Sequence, residues 1–178
     1  MKFKNRLEDP IPEEIRSVLN HKPFHIAITG DIGTGKSTLA GKILKEISID
    51  GGFITERIVG VKGIQSGVYI HRATGEEKSY SKKNLCALID EHSEKGNCII
   101  TERFPEVFDT LGCAYLSGSG IFLMDEIGFL ERDSKLFLKR INEIFESSNS
   151  FIAVIKKKDI DYLNTLKSKP GTFLYSTD

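Results

Sequence analysis

Short apolar runs alternate with amphipathic segments along most of the chain. The runs cover residues 24–29, 121–124, 151–155 and 172–175. Segments with apolar positions at helical spacing cover residues 39–47, 134–146 and 159–166. Short continuous apolar runs are typical of strands buried on both faces. Their alternation with helices predicts an α/β fold, with a mostly parallel sheet that carries helices on both faces.

The pattern changes after the second helix. Two strands, at residues 52–59 and 64–73, are predicted on either side of a turn at 60–63, and residues 76–80 are a candidate third partner. Strands joined by a short turn predict a small antiparallel β insert at one edge of the sheet. The pattern beyond the insert predicts a helix over residues 81–95, a brief strand at 98–101 and a helix over 105–116.

An amphipathic segment precedes the first strand. Its apolar residues at helical spacing are Ile11, Ile15, Val18 and Leu19. Pro12 suits the first turn of a helix, and the acidic pair at residues 13 and 14 suits its positive end. A chain of 178 residues is long enough for one α/β domain and short for two. We therefore predict an N-terminal helical extension over residues 1–22 and a single domain over residues 23–178.

Composition excludes several classes of partner. The formal net charge is +0, so no global field attracts the chain to nucleic acid or to an anionic membrane. The sequence lacks an apolar run near the roughly 20 residues of a membrane helix, and its N-terminus lacks a secretory pattern. Three cysteines without CxxC spacing indicate reduced thiols. We predict a soluble cytoplasmic protein; the sequence does not indicate a protein partner.

A glycine-rich segment follows the first predicted strand and fits the pattern G-x-x-x-x-G-K-[ST] of a phosphate-binding loop, or P-loop. Its residues are Gly30, Asp31, Ile32, Gly33, Thr34, Gly35, Lys36, Ser37 and Thr38. The glycines permit the backbone turns that point successive N–H groups at an anion, and the next helix adds its positive end. Lys36 would bind the β- and γ-phosphates, and Ser37 would supply an oxygen ligand for Mg²⁺. The alternative is a glycine-rich turn that matches by accident.

A second acidic motif closes the apolar run at residues 121–124. Asp125 and Glu126 follow this run, so they lie at the carboxyl edge of the predicted sheet, where ligands bind in open α/β folds. Asp125 would bind Mg²⁺ directly or through water, and Glu126 would accept a proton from the attacking water. Adjacent side chains on a strand point in opposite directions, which favours two separate roles. The alternative is a pair of acids that caps a strand or opens a helix.

With both motifs placed, the sequence resembles the small P-loop nucleoside-triphosphatases once described as cancer-related. The resemblance covers about residues 25–155, and its segments are GDIGTGKST, GGFIT at 51–55, a turn at 63–67 and DEIGFLE at 125–131, followed by Phe137. It implies slow, magnesium-dependent hydrolysis of the terminal phosphate of several nucleoside triphosphates, with weak base selectivity. It also implies the roles given above for Lys36, Ser37, Asp125 and Glu126.

The sequence departs from that family at positions where arginines are usual, because Val59 and Gln65 stand at two of them. An arginine that neutralises the γ-phosphoryl group contributes strongly to this chemistry. The candidates in this chain are Arg57, Arg72, Arg103 and Arg132. Arg103 is the best placed by sequence, since it follows a short apolar run; a surface ion pair is the alternative for each. We interpret the lysines at residues 156–158 as the solvated end of a strand.

Three functions fit these motifs. The first is a magnesium-dependent nucleoside-triphosphatase that acts on ATP- or GTP-type substrates. The second is a kinase for a nucleoside, nucleotide or other small molecule, with an acceptor pocket in the insert at residues 52–80. The third is a nucleotide-binding switch module that docks a protein through the N-terminal helix. The first is preferred, because Glu126 gives an attacking water a base.

Overall fold

The computed structural model describes residues 9–75, 77–90 and 99–178. Within these residues one sheet contains eight strands, in the spatial order β5-β4-β3-β2-β6-β7-β1-β8. The strands are β1 (His25–Thr29), β2 (Gly51–Ile58), β3 (Gly67–Arg72), β4 (Leu85–Asp90), β5 (Ile99–Arg103), β6 (Ile121–Ile127), β7 (Ser150–Ile155) and β8 (Phe173–Ser176).

Parallel pairing holds the part of the sheet that carries both sequence motifs. β2, β6, β7, β1 and β8 pair in parallel in that spatial order. β3, β4 and β5 extend this sheet beyond β2 through antiparallel pairs. The predicted α/β fold, mostly parallel with an antiparallel insert at one edge, is therefore confirmed.

Helices cover both faces of the sheet. They are α1 (Glu13–Leu19), α2 (Lys36–Glu46), α3 (Pro105–Val107), α4 (Cys113–Tyr115), α5 (Lys135–Glu146) and α6 (Asp161–Lys167), with a π-helical turn, Phe108–Gly112, between α3 and α4. Leu39 and Ile43 of α2 pack with Ile152 on one face. Phe137 of α5 packs with Phe151, the residue before Ile152 on β7, on the opposite face of the sheet. Consecutive strand residues thus enter opposite cores, as the period of a strand requires.

The helix predicted over residues 81–95 is wrong where the structure describes it, because residues 85–90 form β4; residues 91–95 lie outside the described residues. Leu85, Cys86 and Ala87 are all buried, so this run has no polar face for a surface helix. β4 instead pairs with β3 and β5, and these long-range partners override the local pattern.

The loop before β4 also differs from expectation. Residues 77–80 form no strand, and Glu76 lies outside the described residues. Side chains connect this loop to the sheet: the Tyr80 hydroxyl donates to Glu56 at 2.9 Å, and Asn84 Nδ2 donates to the Ser79 carbonyl at 2.8 Å. The strand predicted at 98–101 is observed as residues 99–103; Cys98 lies outside the described residues.

α1 packs on the same core as α2. Ile15 has 0% exposure and lies in one cluster with Phe24 and Ile26. Arg16 of α1 also donates to Glu46 of α2 at 2.8 Å. Residues 1–8 of the predicted extension lie outside the described residues, and its separation from the domain stays a prediction. In the described part of the chain, no helix combines the length and apolar character needed to span a membrane.

Two glycines at the start of β2 allow it to lie tightly against β6. Gly52 has a φ of 128°, a conformation that L side chains rarely adopt. A Cβ atom on Gly52 would collide with the backbone of Leu123, its neighbour on β6. The GGFIT segment therefore has a packing reason for its second glycine. Gly41, on the exposed side of α2, has no atom within 4 Å of an added Cβ.

Alanine at Gly52 of β2 and alanine at Gly41 of α2 should change the free energy of unfolding in opposite directions. Gly52→Ala should lower the free energy of unfolding by at least about 2 kcal/mol, because it adds backbone strain and a steric clash. Gly41→Ala should raise it by about 0.5–1 kcal/mol, because alanine favours the helix. Denaturant unfolding of both variants checks this. A stable Gly52→Ala variant would show that β2 and β6 are not packed this closely.

Candidate active site

The P-loop connects the end of β1 to the start of α2. Gly30, Gly33 and Gly35 have φ values of 145°, 78° and 91°. Gly35 is also the N-cap of α2, which begins at Lys36. The first backbone N–H groups of this helix have no partner within it, so they are available to an anion at the loop. The predicted strand–loop–helix context of the motif is confirmed.

The ammonium group of Lys36 lies across the loop. Lys36 Nζ donates to the carbonyls of Gly30 at 2.8 Å and Asp31 at 2.6 Å. Burial lowers the pKa of Lys36, while the charges of Glu126, Asp178 and Asp31 oppose that shift. Lys36 is therefore placed at the centre of the loop, with carboxylates around it.

Residues that follow β8 fix the outer side of the P-loop. The Asp31 amide donates to Asp178 Oδ1 at 2.7 Å, and the hydroxyls of Thr34 and Thr177 share a hydrogen bond of 2.6 Å. Lys157 Nζ lies 2.5 Å from Asp178 Oδ2 and 3.7 Å from Asp31 Oδ1. This support is not predictable from the sequence, because more than 140 residues separate the partners and no motif marks it.

Asp125 is brought to the P-loop by the parallel sheet. Ser37 Oγ donates a hydrogen bond of 3.0 Å to Asp125 Oδ1. Burial raises the pKa of Asp125 to about 6, and the charge of Glu126 adds to this effect; the Ser37 hydrogen bond and the charge of Lys36 oppose it. A hydroxyl and a carboxylate oxygen at this separation are hard ligands of the kind that Mg²⁺ prefers. This donor pair therefore fits a magnesium ion.

Glu126 lies in a β-bulge. Met124 pairs with Ala153 and Ile127 with Ile155, so β6 has one more residue than β7 across this interval. Glu126 takes up the irregularity with a φ of 77°, and it is the one non-glycine residue with positive φ in the described ranges. Bulges re-aim side chains and are common beside active sites. The alternating side-chain directions of a regular strand therefore do not apply to Asp125 and Glu126.

Two side chains hold the Glu126 carboxylate. Thr55 Oγ1 donates to Glu126 Oε2 at 3.0 Å. Lys156 Nζ lies 3.0 Å from Glu126 Oε1. Thr55 belongs to the GGFIT segment on β2, and Lys156 follows β7, so both strands beside β6 contribute one contact. The carboxylate is thus fixed from both sides.

The three lysines after β7 lie at the site. Lys156 is 24% exposed, and its Nζ lies 5.3 Å from the centre of the Phe129 ring. Lys158 Nζ lies 4.8 Å from the same ring centre. All three lysines line one cavity with the P-loop. The interpretation of these lysines as a solvated strand end is therefore wrong for Lys156. Their position directly after a buried strand is the one sequence feature that could have indicated a place at the site.

One cavity of about 910 Å³ connects these groups. It contains the P-loop and Glu126, and it continues to a wall that includes Arg57, Val68, Ile100 and Phe129. A pocket of this size with a few polar groups and an apolar wall is typical of a small-molecule site. The structure therefore brings the P-loop and Glu126 together at one cavity, and Asp125 joins them through its hydrogen bond with Ser37.

The structure does not bring Arg103 to the P-loop. Arg103, at the end of β5, pairs with Asp133 at 2.6 Å and donates to the Phe129 carbonyl at 3.2 Å. These contacts join Arg103 to the segment that follows β6. Arg103 does not line the 910 Å³ cavity. Of the other arginine candidates, Arg57 lines that cavity, whereas Arg72 lies over the Tyr115 ring.

A buried carboxyl group supports the turn after Glu126. Glu131 is 2% exposed, and its Oε1 accepts from the Gly128 amide at 2.5 Å and the Tyr162 hydroxyl at 3.0 Å. Burial raises the pKa of Glu131. In the sequence, Glu131 stands out only as the last residue of DEIGFLE. Its hydrogen bond to Gly128, two residues after Glu126, stabilises the turn that follows the proposed base.

A parallel sheet with a glycine loop between β1 and α2, and an acidic pair at the end of β6, defines the class of P-loop nucleotide-binding proteins. The chain belongs to the NTPase family, whose family model matches residues 25–178. Membership of a nucleoside-triphosphatase family, expected from the motifs, is confirmed.

Proteins named nucleoside-triphosphatase THEP1 are similar to this chain. The Thermotoga petrophila protein is 30% identical over 154 residues, which cover 84% of this chain and 82% of that protein. The Methanocaldococcus jannaschii protein is 30% identical over 154 residues, with 82% and 84% covered. The crystal structure of THEP1 from Aquifex aeolicus is similar with a TM-score of 0.62 and 25% identity, and covers 86% of this chain and 90% of that chain.

The turn after Glu126 should depend on an acceptor at Glu131. Glu131→Ala should lower the free energy of unfolding by about 2–4 kcal/mol, because it leaves the buried Gly128 amide and the half-buried Tyr162 hydroxyl without a partner and opens a cavity. Glu131→Gln keeps an acceptor oxygen, so its loss should be clearly smaller. Denaturant unfolding measures both. Equal losses would contradict the acceptor role of the carboxyl group.

Proposed function

We propose that this protein hydrolyses nucleoside triphosphates of the ATP or GTP type to the diphosphate and phosphate, with Mg²⁺. The observation that carries the proposal is the hydrogen bond of 3.0 Å between Ser37 and Asp125. Ser37 and Glu126, the neighbour of Asp125, both line the cavity of the P-loop. A phosphate-binding loop, a pair of magnesium ligands and a base for water are the parts that this reaction needs.

Binding of the triphosphate is assigned to residues 30–38. The backbone N–H groups of the loop and of the first turn of α2 would surround the β-phosphate. Lys36 would turn from the carbonyls of Gly30 and Asp31, which it now contacts, to the β- and γ-phosphate oxygens. Thr177 and Asp178 hold the outer side of the loop and so limit its movement.

Ser37 and Asp125 would hold the magnesium ion. When bound, Mg²⁺ would supply positive charge that offsets the charge of the phosphoryl oxygens. Asp125 is the carboxylate in direct contact with the P-loop serine, which supports this assignment over a capping role.

Glu126 is assigned as the base that orients and deprotonates the attacking water. Thr55 holds Glu126 Oε2 from β2, so the carboxylate needs little reorientation before the reaction. The strained backbone of Glu126 also supports a functional role, because such conformations cluster at active sites. Arg103 as the charge-neutralising arginine stays a sequence prediction; its contacts place it with Asp133 and Phe129.

A small-molecule kinase is the second candidate. The cavity continues past Glu126 to a wall with Val68, Ile100 and Phe129, next to Arg57. An apolar wall with one guanidinium group would suit an organic acceptor, and β2 and β3 of the predicted insert contribute to it. Hydrolysis remains the better supported function, since similar proteins are named nucleoside-triphosphatases.

The setting of the enzyme is proposed as well. The free thiols of Cys86 and Cys113 support a cytoplasmic location. The start of the family match at residue 25 supports a domain over residues 23–178 that is preceded by a helical extension. The predicted ligand is the triphosphate; nucleic acid and membrane are not proposed as partners.

Removal of the base should stop turnover without stopping binding. Glu126→Gln should lower kcat for phosphate release about 10²–10⁴-fold, because the amide cannot accept a proton from water. The affinity for ATP should not fall, because the P-loop and the proposed magnesium ligands are unchanged. Phosphate release and calorimetric titration measure the two effects, with Glu143→Gln, a change on the exposed face of α5, as the control. Unchanged hydrolysis in Glu126→Gln would refute the assigned base.

The same assay separates hydrolysis from transfer. With ATP labelled at the γ-phosphate, the proposed function predicts label in inorganic phosphate, whether or not nucleosides and other acceptors are present. Label that moves to an acceptor would favour the kinase.

Removal of the carboxylate at residue 125 should weaken the response to magnesium. Asp125→Asn should raise the Mg²⁺ concentration for half-maximal hydrolysis at least about tenfold, because the ion loses an anionic ligand. Asp161→Asn, on the exposed surface of α6, is the matched control. A magnesium titration with unchanged midpoint in Asp125→Asn would rule out this carboxylate as a ligand.

A further inference from the structure

We propose that Lys156 is the cation that contacts the terminal phosphate of the bound triphosphate, and that it releases Glu126 when it does so. This inference rests on the proposed function. The lysine that follows β7 would then do what an arginine was expected to do, namely neutralise the charge of the terminal phosphate.

The backbone of Lys156 is fixed between the two strands that carry the motifs. β7 lies between β1 and β6 in the sheet. The Lys156 amide donates to the Ile127 carbonyl at 2.9 Å, so the residue stands beside the β6 bulge that contains Glu126. A side chain at this position therefore starts between the P-loop and the acidic pair.

The stem of Lys156 has a defined path to the site. A Cβ atom on Gly128 would lie 2.7 Å from Lys156 Cδ, so the glycine leaves room for the methylene chain. The ammonium group ends 3.0 Å from Glu126 Oε1 and 5.3 Å from the centre of the Phe129 ring. Packing of the stem and contact with the ring limit the positions of the charge.

The other cations along the cavity are engaged differently. Lys157 pairs with Asp178 on the outer side of the P-loop. Lys158 lies over Phe129. Arg57 stands on β2, in register with Val68 of β3. Apart from Lys36, Lys156 is thus the cation placed beside the carboxylate that would face the attacking water.

The ion pair between Lys156 and Glu126 links binding of the terminal phosphate to the availability of the base. While the ammonium group of Lys156 contacts Glu126 Oε1, it occupies the place that an attacking water would take at this oxygen. The terminal phosphate would enter between Lys36 and Glu126, and its oxygens would attract the ammonium group. The end of the side chain would rotate toward them while the stem stays packed at Gly128. Glu126 Oε1 would then be free for water, while Thr55 still holds Oε2. A diphosphate lacks the group that draws Lys156 away, so the pair would persist.

Affinities for a triphosphate and a diphosphate test this assignment. The imido analogue of ATP and ADP, each with magnesium, are titrated calorimetrically into the wild type, Lys156→Gln and Lys156→Arg. Lys156→Gln should lose about tenfold in affinity for the triphosphate analogue and stay within about twofold for ADP, because one charge-assisted contact to the last phosphate is lost. Lys156→Arg should keep most of the preference. Hydrolysis of ATP by Lys156→Gln should also fall.

Lys139→Gln, on the exposed side of α5, is the matched control and should behave as the wild type. Thermal unfolding of each variant verifies that it is folded. An unchanged ratio of the two affinities in folded Lys156→Gln overturns the inference while leaving the proposed hydrolysis intact. A wild type that binds the triphosphate analogue no better than ADP overturns the inference as well. A wild type that neither binds nor hydrolyses ATP overturns the proposed function itself.

Discussion

Ser37 and Asp125 stand 88 positions apart in the chain, and a hydrogen bond of 3.0 Å joins their side chains. The parallel sheet makes this contact possible, because β1 and β6 end at the same edge with β7 between them. Every proposed role at the site depends on that alignment. The magnesium ligands are the bonded pair itself, and Glu126 is the next residue along β6.

The bulge in β6 turns this alignment into a catalytic arrangement. A regular strand would point Asp125 and Glu126 to opposite faces. One extra residue and a positive φ at Glu126 bend the strand end, and contacts from Thr55 and Lys156 hold the result. Buried Glu131 supports the next turn through Gly128. Strain at Glu126 is therefore offset by the hydrogen bond from Thr55, the ion pair with Lys156 and the hydrogen bond that holds the turn at Gly128.

How much of this could be predicted from sequence depends on how local each signal is. The P-loop lies in nine consecutive residues, and the acidic pair directly follows an apolar strand, so both were predictable. β4 was mistaken for a helix, because its partners β3 and β5 decide its conformation. The contacts of Lys156 with Glu126 and of Asp178 with Asp31 join residues that are distant in sequence, and no local pattern marks them. Arg103 followed the expected strand, but its charge is directed to Asp133.

A crystal structure of the protein with magnesium and a non-hydrolysable triphosphate would show whether the P-loop, Asp125 and Glu126 act on one ligand. We expect the ion to lie against Ser37 Oγ and the Asp125 carboxylate to contact it directly or through water. We also expect a water between Glu126 and the terminal phosphate. An ion bound away from both Ser37 and Asp125, or a terminal phosphate out of reach of Glu126, would contradict these expectations.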